Sequence, residues 1–130
     1  MALKEYTMQK NESSAISAKE IVMEYLQAVE RRDFKSARSY LSDNILYVSP
    51  VNSFDRAEPY LKYYEHQNVP PLDIKKEFAD SNDVCLLSQV TYREPPVTIF
   101  VCVWYHVNDD GKISSIRLVF DPRPFVQDRK

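Results

Sequence analysis

The chain has 130 residues, 44% of them hydrophobic, and a net charge of −2, which fits one compact domain and is too short for two ordinary ones. The nearly balanced charge predicts no basic surface for a phosphate backbone, so nucleic acid is not an expected partner. The single glycine, Gly111, excludes glycine-rich nucleotide-binding loops and the glycine-flanked serine of a nucleophile elbow.

We expect neither a membrane span nor an export signal in this sequence. The longest apolar stretch, residues 97–107, is about half as long as a membrane span, which needs ~20 residues. Residues 1–16 carry charges and lack a continuous apolar run, so we expect a flexible N-terminal tail rather than a secretory signal. The predicted organisation is therefore one domain at residues 17–125, with a short C-terminal tail at residues 126–130 and no membrane partner.

Two helices are predicted at the start of the domain. Ser17 and Glu20 have the spacing of a capping box, and an apolar stripe of helical period follows them. Asp33 is expected to cap a second short helix, which residues 42–44 would end. We expect one face of each helix to pack on a core.

A short strand at residues 45–49 and a third helix are predicted next. Residues 53–55 offer N-cap candidates for this helix, and Pro59 then falls within its first turn, where proline is tolerated. Its inward face would carry Tyr60, Leu61 and Tyr64, and His66 near its end is expected to contact the last carbonyls.

From Leu72 onward the apolar period changes from helical to two, which is typical of strands. A turn at residues 81–83 and the pair Asp110-Gly111 are hairpin signals. The predicted strands are residues 72–78, 84–93, 97–107 and 112–121. Helices followed by strands indicate an α+β fold with antiparallel pairing.

The last hairpin carries the most specific local pattern in the chain. Asp110-Gly-Lys-Ile113 is followed by Ile116-Arg-Leu-Val-Phe-Asp121-Pro122, which resembles the final hairpin of SnoaL-like domains in the nuclear transport factor 2-like superfamily. That superfamily includes polyketide cyclases, ketosteroid isomerases and limonene epoxide hydrolases. The resemblance, over residues 17–125, implies a cone-shaped barrel in which a curved antiparallel sheet packs against N-terminal helices and encloses a cavity for an apolar small molecule.

If Asp110-Gly111 is a two-residue loop, opposite residues of the last two strands have numbers that sum to 221. One face then mixes aromatic and polar side chains, with Trp104 opposite Arg117, Cys102 opposite Val119, Phe100 opposite Asp121 and His106 opposite Ser115. The other face is almost wholly apolar and carries Val101, Val103, Tyr105, Ile116 and Leu118.

Both faces of this sheet need cover, because an antiparallel sheet normally leaves one face in water. We expect the mixed face to line the cavity under the helices. The apolar face is then expected to be convex and to form a homodimer. The predicted ligand-binding residues are Tyr47, Tyr60, Tyr64, Phe100, Cys102, Trp104, Arg117 and Val119. Ordinary core packing is the alternative for each aromatic residue among them.

Asp121 is the predicted acid–base residue, since a carboxylate opposite Phe100 would be partly desolvated and its pKa raised. The alternative is that Asp121, which precedes Pro122, only accepts hydrogen bonds from turn N–H groups. His106 is a weaker candidate for a general base because it lies near the hairpin turn.

The resemblance implies a catalytic acid at the position of Asp121 in the epoxide-hydrolase branch. That branch pairs it with an Arg-x-Asp sequence, where this chain has Leu87-Ser-Gln-Val90. The acid of the SnoaL-like cyclases is also absent, since Arg117-Leu118 stands at its place. This chain therefore lacks residues that the known reactions of both relatives require.

Cys85 and Cys102 are the only cysteines. Two thiols on core-like strands indicate a reducing compartment, so a cytoplasmic location is expected. Cys102 and His106 are four strand positions apart, roughly 13 Å, which is too far to share an ion or form a catalytic dyad. We expect neither a metal nor a cofactor.

Two functions agree with these patterns. The first is a pocket protein for an apolar or aromatic small molecule that acts as a cofactor-free isomerase, lyase or cyclase, with Asp121 moving a proton. The second is a non-catalytic ligand-binding or association module with the same fold. A closed cavity that holds Asp121 beside a second polar group would indicate catalysis, whereas a cavity filled by side chains would indicate association.

Overall fold

The computed structural model describes residues 17–94 and 96–126, in which helices cover one face of a six-stranded curved sheet. The elements are α1 (Ala18–Glu30), α2 (Phe34–Ser39), β1 (Leu41–Val48), β2 (Ser53–Phe54), α3 (Ala57–His66), β3 (Asp73–Asp80), β4 (Asp83–Arg93), β5 (Pro96–Val107), β6 (Ile113–Val119) and α4 (Arg123–Val126). The strand order is β2-β1-β6-β5-β4-β3. The α+β prediction is confirmed. The predicted N-terminal tail, and the predicted C-terminal tail apart from Val126, lie outside the described residues.

The first two helices begin where the capping signals predicted. Ser17 Oγ accepts a hydrogen bond from the Glu20 amide at 3.2 Å, and Glu20 Oε1 accepts one from the Ser17 amide at 3.1 Å. Asp33 Oδ1 accepts from the Ser36 amide at 3.1 Å and caps α2. These side chains satisfy amide groups that have no partner within a helix.

The predicted end of α2 and the predicted N-cap of α3 were wrong. Residues 42–44 do not end α2 but lie within β1, which begins at Leu41. Ser53 belongs to β2, and the N-cap of α3 is Arg56, which makes no side-chain capping bond. Pro59 does lie in the first turn of α3, as predicted.

The sheet is not purely antiparallel, because β1 pairs in parallel with β6. Tyr47 lies opposite Ile116, and the Ile113 amide donates to the Tyr40 carbonyl at 2.8 Å. The other pairs are antiparallel. This contact joins segments far apart in the chain and gives β6 a second neighbour.

The predicted register of the last hairpin is confirmed, with Trp104 opposite Arg117 and Cys102 opposite Val119. The loop itself is longer than predicted. The Asn108 amide donates to the Lys112 carbonyl at 2.8 Å, and Gly111 adopts a φ of 75°, which is the geometry of a three-residue loop with glycine in the left-handed region. A register shift after His106 restores the pairing.

The two faces of the sheet have the opposite roles from those predicted. The helix-covered inner face includes Val84, Leu86, Ser88, Val90, Val101, Val103, Tyr105 and Ile116, all buried. The residues predicted to form the dimer are therefore in or beside the core. The physical reason is that α1, which packs on β4 and β5, presents apolar side chains of its own. Burying an aliphatic side chain against α1 stabilises the fold by about 1.5–3 kcal/mol. Burying Arg117 there would instead remove a charge from water without an opposite charge to pair with it.

The mixed face is the outer face of the sheet. Phe78, Phe100, Trp104 and Val119 are 50 to 61% exposed there. The described part of the chain offers these side chains no cover.

Candidate functional site

A cavity of about 340 Å³ lies between the helices and the inner face. Its walls are aliphatic residues of the sheet together with tyrosines from helices and strands. The aromatic and aliphatic lining residues are Tyr25, Leu26, Tyr47, Val51, Tyr60, Tyr63, Tyr64, Val69, Leu72, Val90, Tyr92, Ile99, Val101, Val103, Tyr105, Ile116, Leu118, Phe120, Phe125 and Val126. Such a lining suits an apolar ligand.

A cluster of tyrosines forms the helical side of the cavity. The hydroxyl oxygens of Tyr25 and Tyr60 are 2.7 Å apart, so one donates a hydrogen bond to the other. The ring of Tyr47 stacks on that of Tyr60 with centroids 4.5 Å apart, and Tyr64 meets Tyr60 edge-on at 6.0 Å. Apolar residues of α1, α3 and β1 must pack closely to bring these rings together, and each ring leaves its hydroxyl as a polar point.

Burial keeps these tyrosines uncharged. Desolvation raises the pKa of Tyr25 and Tyr60 well above the ordinary value of 10.0 and that of Tyr64 to about 12. At neutral pH the hydroxyls therefore donate and accept hydrogen bonds but do not act as bases.

Three polar residues, Ser49, Gln67 and Asn68, also line the cavity. Phe125 of α4 completes the wall by packing edge-on against Tyr92 at 5.2 Å and against Phe120 at 5.9 Å.

Among residues 17–94 and 96–126, no Asp, Glu, His, Lys or Arg side chain lines the cavity. The inner face also carries Ser88 Oγ, which is fully buried and makes no hydrogen bond to the described residues. The cavity therefore supplies hydrogen-bond donors and acceptors without a charge.

The outer face has a separate, open hollow of about 500 Å³. It is lined by Phe78, Ala79, Asp80, Asp83, Val84, Cys85, Cys102, Trp104, Arg117 and Val119. Asp83 Oδ1 accepts hydrogen bonds from Trp104 Nε1 at 2.8 Å and from His106 Nδ1 at 2.9 Å. These bonds, that of His106 above all, lower the pKa of the Asp83 carboxyl.

The predicted ligand-binding residues fall into two separate groups. Tyr47, Tyr60 and Tyr64 line the inner cavity. Five others, namely Phe100, Cys102, Trp104, Arg117 and Val119, lie on the outer face, so their predicted place in the cavity was wrong. The strand alternation was read correctly, but the face that meets the helices was misassigned.

Asp121 does not point into the cavity. The strand β6 ends at Val119, so no pair with Phe100 forms. Both carboxylate oxygens of Asp121 accept hydrogen bonds from Arg123, whose amide also donates to Oδ1 at 3.0 Å. Arg123 thus lowers the pKa of Asp121 rather than raising it. The alternative of a turn-binding carboxylate is the one that the structure supports.

The two histidines also have structural partners. His106 is held by Asp83 on the outer face, away from the cavity. His66 Nδ1 donates to the Lys62 carbonyl at 2.7 Å, as expected for a histidine at a helix end. Within the described ranges no group of three or more His, Cys, Asp or Glu side chains is placed to hold a metal.

Sequence reasoning missed Tyr25 and Tyr105 as cavity residues. Tyr25 belongs to the predicted apolar stripe of α1, and Tyr105 lies on the face that was assigned to a dimer. A tyrosine within an otherwise aliphatic stripe was the available signal, since a buried hydroxyl needs a polar partner.

The sequence and the fold identify the class of protein. The model of the SnoaL-like domain family matches residues 22–116, more than half of the chain. The chain therefore belongs to the SnoaL-like domain family, within the nuclear transport factor 2-like fold. Among curated proteins, no sequence gives a significant match.

Solved structures share the fold over most of their length. An NTF2-like protein of unknown function from Cytophaga hutchinsonii ATCC 33406 is 28% identical, with a TM-score of 0.77 over 86% of this chain and 96% of that one. A LEH-like epoxide hydrolase of M. tuberculosis is 20% identical, with a TM-score of 0.70 over 85% and 86%. A candidate SnoaL-like polyketide cyclase from Shewanella putrefaciens CN-32 is 11% identical, with a TM-score of 0.72 over 90% and 88%. The last two show similarity of fold alone.

No helix in the part of the chain that the structure describes is long and apolar enough to cross a bilayer.

Proposed function

We propose that this protein binds an uncharged, largely apolar small molecule in the inner cavity and does so without acid–base catalysis by the cavity side chains. The observation that carries the proposal is the charge-free lining of tyrosine, aliphatic and amide groups. A charged ligand would lose its hydration there and find no opposite charge. Proton transfer at neutral pH would need a base, and tyrosines with raised pKa values are poor bases.

The Tyr25–Tyr60 pair supports a preference for ligands that carry one oxygen atom able to accept a hydrogen bond. Two hydroxyl groups carry two protons, and the bond between them uses one. Neither hydroxyl makes another hydrogen bond to a described residue, so the second proton is free for a ligand carbonyl or hydroxyl oxygen. Such a neutral hydrogen bond contributes about 1 kcal/mol, or roughly fivefold in affinity.

Three matched probes test this proposal by isothermal titration calorimetry. 2-Naphthol, naphthalene and 2-naphthoate share two fused rings and differ in the polar group. We expect 2-naphthol to bind about fivefold more tightly than naphthalene and 2-naphthoate to bind at least about tenfold more weakly than 2-naphthol. Equal or tighter binding of the carboxylate would contradict the proposal, and so would failure of all three probes to bind.

A second copy of the chain is the proposed cover of the outer face. Phe78, Phe100, Trp104 and Val119 form an exposed apolar surface. The same hollow carries the cation Arg117 and the acids Asp80 and Asp83. In a two-fold contact each copy presents both signs of charge to the other. The homodimer is thus still proposed, now through the outer face of the sheet and with different residues from those first expected.

We also propose a cytoplasmic location. Its support is the chemistry of Cys85 and Cys102, which are free thiols with no disulfide between them. Fractionation of the native host, with the protein detected by mass spectrometry, tests it. Recovery in an exported fraction would contradict it.

A further inference from the structure

Two cysteine thiols face each other on the outer face, on the opposite side of the sheet from the ligand cavity. Cys85 of β4 and Cys102 of β5 have sulfur atoms 3.3 Å apart. In the strand register Cys85 lies opposite Trp104 and Cys102 opposite Leu87, so the two cysteines are diagonal neighbours. Diagonal positions are usually too far apart for short side chains to touch, and here the two sulfurs do touch.

Both thiols are accessible to small molecules in the single chain. Each side chain is partly exposed, and both line the open hollow of about 500 Å³. A disulfide has sulfur atoms about 2.05 Å apart, so the two sulfurs must approach by roughly 1.2 Å. We expect side-chain rotation to supply this movement, because both cysteines border the open hollow.

We propose that Cys85 and Cys102 form a reversible dithiol–disulfide site that reacts with low-molecular-weight disulfides such as oxidised glutathione. One cysteine thiolate attacks a sulfur of oxidised glutathione, which releases one glutathione thiolate and leaves a mixed disulfide on the protein. The second cysteine thiolate attacks the protein sulfur of that mixed disulfide and releases the second glutathione. In total two protein thiols are oxidised to one disulfide, and one oxidised glutathione is reduced to two glutathione molecules.

The surroundings of the pair indicate a slow reaction at neutral pH. Burial, together with the neighbouring Cys102 thiol, raises the pKa of the Cys85 thiol to about 11. The thiolate is the attacking species, so little of Cys85 is reactive near pH 7. The site is suited to sustained oxidation rather than to a rapid response. It goes beyond the proposed ligand binding and does not depend on it.

Mass spectrometry of the intact protein after incubation with oxidised glutathione tests the site. We expect the wild type to lose two hydrogen atoms and both free thiols, and reduced glutathione to reverse the change. We expect Cys85→Ser and Cys102→Ser each to stop at a stable adduct with one glutathione, because the resolving thiol is absent. The proposed homodimer covers the outer face, so we expect only the dissociated chain to react, and the oxidation of the wild type to slow as the protein concentration rises.

Trp104 supplies an independent readout. It is the only tryptophan and lies opposite Cys85, so a new disulfide beside its indole is expected to quench its fluorescence in step with the mass change. A wild type that stays reduced at every protein concentration would overturn the proposal. Stable glutathione adducts without an internal disulfide, or disulfides between two chains, would overturn it equally. These results need only the wild type, so they hold even if a serine variant does not fold.

Discussion

At the scale of single residues, the tyrosine hydroxyls give the cavity its chemistry. A buried hydroxyl without a partner costs about 1–3 kcal/mol, and Tyr25 and Tyr60 reduce this cost by bonding to each other at 2.7 Å. The rings provide the apolar contact area, while the shared hydroxyl pair provides the polar point. An aspartate in the same place would lose far more hydration energy.

The Tyr60→Phe variant tests the role of the hydroxyl pair. We expect 2-naphthol to bind about fivefold more weakly, naphthalene to bind as before, and the free energy of unfolding to fall by about 1–2 kcal/mol because Tyr25 loses its partner. Calorimetry and urea unfolding measure these quantities. Tyr63→Phe is the matched control, since Tyr63 also lines the cavity but is not part of the pair. An equal loss for naphthalene would mean that the substitution altered the shape of the cavity.

The same tyrosines predict a loss of stability in alkali. Burial raises the pKa of Tyr25, Tyr60 and Tyr105 above the ordinary value of 10.0. Above that pH the unfolded chain releases tyrosine protons that the folded chain retains. The free energy of unfolding therefore falls with rising pH, by about 1.4 kcal/mol per pH unit for each such tyrosine. At pH values below the ordinary tyrosine pKa, the contribution of these tyrosines to the free energy of unfolding is fully present.

Urea unfolding at several values between about pH 9 and 12, with tyrosinate absorbance recorded in parallel, measures the effect. We expect the buried tyrosines to ionise only as the protein unfolds. Ionisation of all tyrosines near their ordinary pKa in a protein that is still folded would show that the cluster is open to water.

At the scale of elements, α4 supplies part of the cavity wall through Phe125 and Val126. This short helix places Phe125 against Tyr92 and Phe120. The ion pair of Asp121 with Arg123 and the bond from the Phe125 amide to the Pro122 carbonyl fix the turn that leads into it. The residue first predicted as an acid–base group thus helps to position a wall of the cavity.

The Phe125→Ala variant is expected to accept longer ligands. Removing the ring enlarges the cavity at the wall that α4 supplies, so 1-hydroxypyrene should bind about tenfold more tightly than to the wild type, while 2-naphthol changes little. Stability should fall by about 2 kcal/mol, less than for a fully buried phenylalanine. Phe100→Ala removes the same side chain from the outer face and should leave both affinities unchanged. An unchanged affinity for 1-hydroxypyrene in Phe125→Ala would mean that another wall limits ligand length.

At the scale of the whole molecule, the two faces of one sheet have different surroundings. The inner face packs against the helices and surrounds the cavity, whereas the outer face carries exposed aromatic residues. Exposed apolar surface of this kind is typical of an association site. The described chain has no element left to cover it.

The Val119→Lys variant separates association from folding. We expect wild type to be dimeric and Val119→Lys to be a folded monomer in sedimentation equilibrium, since the lysine stays hydrated once the copies separate. Val51→Lys, at an exposed valine off the sheet faces, should remain dimeric. Val103→Lys should unfold, because Val103 is buried on the inner face. A wild type that is monomeric at micromolar concentration would contradict the dimer.

Local physics in the sequence determined the starts of α1 and α2 and the strand alternation, and it predicted the pairing of the last hairpin. The capping residues Ser17 and Asp33 act on amides within one turn. The hairpin register agrees with the prediction because the register shift after His106 compensates for a loop one residue longer than expected. Tyr47, Tyr60 and Tyr64 were placed in the cavity because their own helix and strand face the core. Each of these features depends on residues close together in the chain.

Only the tertiary structure decided which face of the sheet the helices cover. Alternation divides the side chains of a strand into two sets but does not say which set lies inside, and here both sets contain large apolar residues. The choice depends on packing between α1 and strands more than fifty residues later, as does the parallel pairing of β1 with β6. Asp121 was misplaced for a different reason. Its surroundings follow from the end of β6 and the ion pair with Arg123, not from the hairpin register extended beyond the strand.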